Sequence, residues 1–265
     1  MSDPDRGHRY LDDATPVLAF AHRGGAYHPE LEGLENTMVA FAHAVRLGYR
    51  YLETDVHATS DGVLLAFHDT VLDRVTDRTG EIATSTYADV QRALIGARER
   101  VPRLEDLLDA FPGVRFNIDI KSEQAVAPLA EVIAARGEQD RVLVGSFSVR
   151  RLRRFRRLTG GRVATSAHPA EVLAFRLLPS ARLADLLTSG TVAALQIPHR
   201  QRGFLVASDG LVRRAHAAGK HVHVWTIDDP DEMRVLLNRG VDGLMTDRTD
   251  ILRDVLRERG LWRES

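Results

Sequence analysis

Eight short apolar runs, each followed by a stretch with helical spacing, constrain this chain more than any other feature of its sequence. They are VLAFAH (17–22), RYLETDV (50–56), RFNIDIK (115–121), RVLVGSF (141–147), RVATSAH (162–168), AALQIP (193–198), HVHVWTI (221–227) and DGLMTD (242–247). Between them, spacings such as Leu104, Leu107, Leu108 and Phe111, or Met233, Leu236 and Leu237, put apolar side chains on one helical face. Alternation of this kind builds parallel βα units, because a parallel strand needs a crossover to return. Eight units in 265 residues, 44% of them hydrophobic, predict an α/β chain folded as one (β/α)8 TIM barrel.

One run breaks the rhythm. VLLAF (63–67) follows the second strand after only an Asp61-Gly62 turn, too short for a crossover helix, and is expected to be a hairpin strand beside it. Residues 69–103 then form a small insertion over one rim of the barrel. The single domain is placed at 17–265, behind a polar N-terminal segment, 1–16, that contains no apolar run of the signal-peptide kind. No repeat or Gly/Pro/Ser-rich linker marks a second domain.

A formal net charge of -1 gives no global field for nucleic acid or an anionic membrane, so any attraction to phosphate must be local. No run approaches membrane-spanning length, and stable membrane insertion is not expected. The absence of cysteine removes disulfides, thiolate metal sites and thiol nucleophiles. It fits a reducing compartment, and the expected location is cytoplasmic. The partner expected is a small molecule; no feature specifies an oligomeric state.

The chemistry gathers in YLETDVHATSDGVLLAFHD (51–69). Side chains two apart on a strand share a face, so Glu53 and Asp55 point together into the barrel near the C-terminal end of the second strand. Two carboxylates in a closed interior need a compensating cation or proton, and oxygen ligands suit Mg²⁺ or Ca²⁺. Salt bridges to arginine, or access to solvent at the rim, are the other reading. FNIDIK repeats the device with Asn117, Asp119 and Lys121 on one face. Lys121 is one of two lysines in a chain where 34 of the 36 basic residues are arginine. A compact ammonium at the rim suits a phosphate, while simple pairing with Asp119 is the alternative. His22 and Arg23 end the first strand before Gly24 and Gly25, and His68 ends the hairpin strand. Two imidazoles near three acids suit general acid and general base work at neutral pH. His57, in phase with Glu53 and Asp55, is read as a supporting residue at most.

The ordered run HRGG, LENTMVAF, LGYRYLETDVHATSDGVLLAFHD resembles the glycerophosphodiester phosphodiesterase family, within the phospholipase C-like phosphodiesterase superfamily. The resemblance continues through GEIATSTYADVQRAL, VPRLEDLLDAF, FNIDIK and VHVWTIDDPDEMRVLLNRGVDGLMTD, roughly residues 17 to 255. It implies metal-dependent hydrolysis of glycerophosphodiesters to sn-glycerol 3-phosphate and an alcohol. The implied attacker is glycerol's own neighbouring hydroxyl, giving a cyclic phosphate that water opens. Metal ligands fall on Glu53, Asp55 and Asp119, for Mg²⁺, Ca²⁺ or Mn²⁺, and the two catalytic histidines on His22 and His68. Arg23 and Lys121 match positions that hold the phosphate, Glu35 an acid that orients the first histidine and arginine, and Trp225 an aromatic lining the pocket. Three departures stand out: Asp119 where the family usually has glutamate, Leu34 in place of proline with a longer AYHPELEGL loop, and Asp228 where asparagine is common. The alternatives are a lysophospholipase D activity, for which the apolar stretch 172–187 would line an acyl groove, and a non-catalytic phosphodiester-binding relative. A sugar-phosphate isomerase or aldolase is disfavoured, because acids rather than glycines follow the seventh and eighth strands.

Other features read as structural. VRRLRRFRR (149–157) is expected to be the solvated face of a helix. Asp247 is expected to cap the last helix. His168 carries no assignment.

Overall fold

A computed structural model describes residues 8–12, 15–188 and 190–264. The eight runs become eight parallel strands: β1 (Leu18–Ala21), β2 (Tyr51–Ala58), β3 (Arg115–Ile120), β4 (Val142–Gly145), β5 (Ala164–Thr165), β6 (Ala194–Pro198), β7 (His221–Trp225) and β8 (Gly243–Thr246). Each pairs with its neighbours in chain order, and β8 returns to β1. The ring closes between β5 and β6 by a parallel bridge from Ser166 to Ala194, flanked by Ala193 N–H donating to Thr165 O at 2.8 Å. Between successive strands run helices that cover the outside, such as Leu104–Ala110, whose Leu104, Leu107 and Leu108 are buried. β3 meets this layer with Phe116, Ile118 and Ile120, and its alternate residues face inward.

The hairpin strand, Leu64–Ala66, pairs antiparallel with the end of β2, Val56 opposite Ala66, as the Asp61-Gly62 turn requires. The insertion behind it has a small core of its own, built from Leu65, Phe67, Leu72, Ile82, Val90 and Ile95.

The N-terminal segment is more than a polar tail. Residues 1–7 and 13–14 lie outside the described residues, but Tyr10 is fully buried under the barrel floor, edge-on to Tyr51 with ring centroids 5.5 Å apart. Tyr51 Oη donates to Tyr10 O at 3.1 Å, and Arg115 Nη2 donates to Asp12 O at 2.6 Å. An aromatic plug of this size contributes about 2–3 kcal/mol by burial. It closes the end of the barrel opposite the chemistry.

Candidate active site

The register between β2 and β3 sets Glu53 beside Asn117 and Asp55 beside Asp119, all on the inner face. The period-two rule thus turns all three carboxylates inward, with Asp55 and Asp119 level and Glu53 one step below them beside Asn117. Lys121, the residue after β3, bridges two of them, with Nζ 2.9 Å from Asp55 and 2.7 Å from Asp119. Its ammonium is raised above the usual lysine range, because these two charges outweigh the effect of burial. Burial would raise Asp55, but Lys121 and Arg23 hold it below the usual carboxylate range. Burial and the Asp55 charge push Glu53 up to about 7, and burial also pushes Asp119 up. Asp119 Oδ1 is buried and accepts no hydrogen bond. Among the described residues, no three acidic or imidazole side chains stand close enough, as arranged, to hold a metal ion.

His22 and Arg23 sit in a tight turn at the end of β1, with Arg23 at φ 49 and Gly24 at φ 84. A Cβ at Gly24 would lie 2.7 Å from Ala40 Cβ, so only glycine lets the turn seat on the helix Met38–Arg46. Arg23 donates its N–H to Glu53 (3.1 Å) and Nη1 to Glu35 (3.2 Å), and its Nε pairs with Asp55 at 3.3 Å. His22 Nδ1 meets Asp247 Oδ1 at 2.8 Å, and its Nε2 lies 3.8 Å from Glu53. Burial alone would lower this imidazole; the Glu53 charge and the Asp247 hydrogen bond push it up to about 9.

The second histidine is built the same way. His68 Nδ1 meets Asp69 Oδ1 at 2.6 Å, and Arg74 Nε donates to the other Asp69 oxygen at 2.6 Å. Burial would raise Asp69, but Arg74 and His68 bring it down to about 2. Arg74, in the insertion, also donates to both oxygens of Glu35, at 2.7 and 2.6 Å. One guanidinium therefore ties the insertion, the His68 partner and the Arg23 partner together. His57 donates Nε2–H to His68 O at 3.1 Å, which makes it a support for that turn.

All the anticipated residues except Glu35 line one cavity of about 750 Å³ at the C-terminal ends of the strands. Glu35 lies behind it, held by Arg23 and Arg74. Trp225 meets Phe147 edge-on, centroids 5.6 Å apart, on the apolar side. Ile197, Val172, Leu173 and Phe204 extend that side outward.

Other residues take roles that the sequence did not assign. Asp247 does not cap the last helix: Arg248 holds that position without a side-chain cap, and the Asp247 carboxylate accepts from His22 instead. Asn36, at φ 56, donates to Asp55 at 3.1 Å and accepts from Thr54 Oγ1 at 2.8 Å, fixing the Asp55 carboxylate. Asp228 accepts from Thr246 Oγ1 and from the N–H groups of Asp247 and Arg248, a role an asparagine oxygen would serve equally. Leu34 is a packing residue, 1% exposed beside Leu31 and Ala40. His168 caps the helix Pro169–Leu177 through Glu171 N–H. In the helix Val149–Thr159, Arg151, Arg154 and Arg156 reach back to Ile120 O, Glu123 and Glu171, so its basic face is partly spent on holding neighbouring elements.

A family model for the glycerophosphoryl diester phosphodiesterase family matches residues 22–251. A probable glycerophosphodiester phosphodiesterase 2 of Mycobacterium tuberculosis is 43% identical over 95% of this chain and 98% of its own length. A lysophospholipase D of Homo sapiens is 27% identical over 89% of this chain and 85% of its own. Among solved structures, a phosphodiesterase of Oleispira antarctica in complex with the product sn-glycerol-3-phosphate superposes with TM-score 0.75 at 25% identity, covering 91% of this chain and 96% of that one. With the family model matched over residues 22–251 and the Mycobacterium tuberculosis relative aligned over nearly the whole length, the chain belongs to the glycerophosphoryl diester phosphodiesterase family.

Proposed function

We propose that this enzyme hydrolyses glycerophosphodiesters to sn-glycerol 3-phosphate and an alcohol, by two-histidine acid/base catalysis that depends on a divalent cation. The observation that carries the reading is the pair of imidazoles, each anchored through Nδ1 by its own carboxylate, on one cavity with Arg23 and Lys121. An Nδ1 anchor sets the tautomer and orientation and leaves Nε2 for proton transfer. One histidine takes the proton of the attacking glycerol hydroxyl as its oxygen bonds phosphorus. The other protonates the alcohol oxygen as its bond to phosphorus breaks. Water then opens the cyclic phosphate with the roles reversed. Arg23 and Lys121 hold the phosphoryl oxygens, Glu35 keeps Arg23 in place, and Trp225 packs against the carbon side of the substrate.

The donor chemistry, though not the present spacing, suits Mg²⁺, Ca²⁺ or Mn²⁺: Glu53, Asp55 and Asp119 are hard oxygen ligands, and the buried Asp119 Oδ1 accepts no hydrogen bond. Lys121 now occupies the space between Asp55 and Asp119, and would turn toward the phosphate when the ion is held. The bound cation would supply positive charge to offset that of the phosphodiester. A chain with no cysteine needs no oxidising compartment to form disulfides, and the cytoplasm is the proposed setting.

A second reading, lysophospholipase D activity, draws on the apolar extension of the cavity and on the name of the human relative. One experiment separates them. Glycerophosphocholine, glycerophosphoethanolamine, glycerophosphoglycerol and a lysophospholipid are assayed for product with Mg²⁺, Ca²⁺, Mn²⁺ or chelator. Release of sn-glycerol 3-phosphate from the deacylated substrates, abolished by chelator and restored by metal, supports the first reading. Turnover of the lysophospholipid alone supports the second, and full activity in excess chelator removes the cation from both.

A further inference from the structure

We propose that one rim of the cavity is a docking surface for an anionic phospholipid bilayer. The rim consists of the helix Pro169–Leu177 and a two-stranded hairpin after β6, Arg200–Gln201 with Phe204–Leu205. Arg176 Nη1 donates to Leu205 O at 3.2 Å, which joins helix and hairpin into one unit. Three large apolar side chains stand in solvent there, Phe204 at 73% exposed, Leu177 at 68% and Leu173 at 53%, and Phe147, after β4, adds a fourth at 62% on the same cavity. Phe204, Phe147 and Leu173 line the cavity mouth, and Leu177 follows Leu173 by one helical turn. An apolar patch continuous with a catalytic opening marks a surface that meets something other than water.

The charge identifies the partner. The helix and hairpin carry Arg176, Arg200 and Arg202, and their one acid, Glu171, is buried against Arg156, in a chain whose formal net charge is -1. Arg176, Arg200 and Arg202 are exposed on the elements that carry the apolar side chains. Aromatic and aliphatic groups at the acyl boundary, with guanidinium groups at the phosphate level, are what an anionic interface binds. A second copy of the chain is the poorer match, because a two-fold contact through this face would set like charges against each other. Docking here would turn the cavity mouth toward the lipid headgroups. The inference stands apart from the reaction assigned above, since binding is read without turnover.

The test is sedimentation of the full chain with vesicles of phosphatidylcholine alone and of phosphatidylcholine mixed with phosphatidylglycerol. The mixed vesicles should bind it and the neutral ones should not, and added salt should weaken binding. Arg200→Gln should lower partitioning about fivefold, equivalent to about 1 kcal/mol per cationic side chain. Leu177→Ser should lower it at least about tenfold. Neither residue lines the cavity, so both variants should keep the melting temperature and the turnover of glycerophosphocholine. Failure to bind either vesicle, equal binding to both, or variants that bind like the parent would each overturn the proposal. So would a dimer of the free protein that Leu177→Ser abolishes, which would assign the face to a second copy.

Discussion

The link between Asp247 and His22 offers the sharpest perturbation in the site. The carboxylate is 7% exposed, its Oδ1 is 2.8 Å from His22 Nδ1, and its backbone is held independently: Asp247 N–H donates to Asp228, and Tyr27 N–H donates to Asp247 O. Replacing the side chain therefore leaves the turn intact. A hydrogen bond to a charged group contributes about 1.5–3 kcal/mol. If all of it acts in the transition state, Asp247→Ala should lower kcat by about tenfold to two-hundredfold. Asp247→Asn should cost more, because its amide can donate to Nδ1 and hold the wrong tautomer, a defect worth about ten-thousandfold in a serine protease triad. Steady-state release of sn-glycerol 3-phosphate from glycerophosphocholine measures both, with thermal melting as the control for folding. Variants within threefold of the parent at unchanged melting temperature would refute the orienting role.

Three further outcomes follow from other parts of the molecule. Arg74→Ala releases both Glu35 and Asp69, and should lower kcat about tenfold, the scale of one charge-assisted hydrogen bond; an unchanged kcat would show that the insertion does not brace the site. Asp119→Asn keeps shape but removes a charge, and should raise the metal concentration for half activity; an unchanged requirement would mean that Asp119 is not a ligand. His223 is fully buried, and burial holds its imidazole well below 6.5. The unfolded chain gains a proton at this residue below pH 6.5 and the folded chain does not, so stability should fall with acid by up to about 1.4 kcal/mol per pH unit. His223→Gln should flatten urea-unfolding midpoints between pH 7 and 5, and an identical slope would discount His223.

What the sequence disclosed and what it hid have physical reasons. Strand alternation made all eight barrel strands and the hairpin legible, and period two placed Glu53, Asp55, Asp119 and Lys121 on one inward face. Those rules act within a strand and say nothing across loops. Asn36, Asp69 and Arg74 reach the site from irregular segments, and Arg74 spans from residue 74 to residue 35. An aspartate between a strand and a helix is usually a cap, and only the closure of β8 onto β1 brings Asp247 to His22 instead. Tyr10 was hidden by its polar neighbours, since one aromatic has no periodicity to reveal it.

The most direct test of the central claim is the kcat of His22→Ala and His68→Ala on two substrates, glycerophosphocholine and an analogue with a p-nitrophenolate leaving group. With glycerophosphocholine, each variant should lose about a hundredfold to ten-thousandfold, the scale of positioned proton transfer, at unchanged melting temperature. The p-nitrophenolate leaves without a proton, so the analogue should rescue the variant that lacks the general acid and leave the other impaired. Near-parental kcat in both variants, or losses that only track unfolding, would contradict two-histidine catalysis.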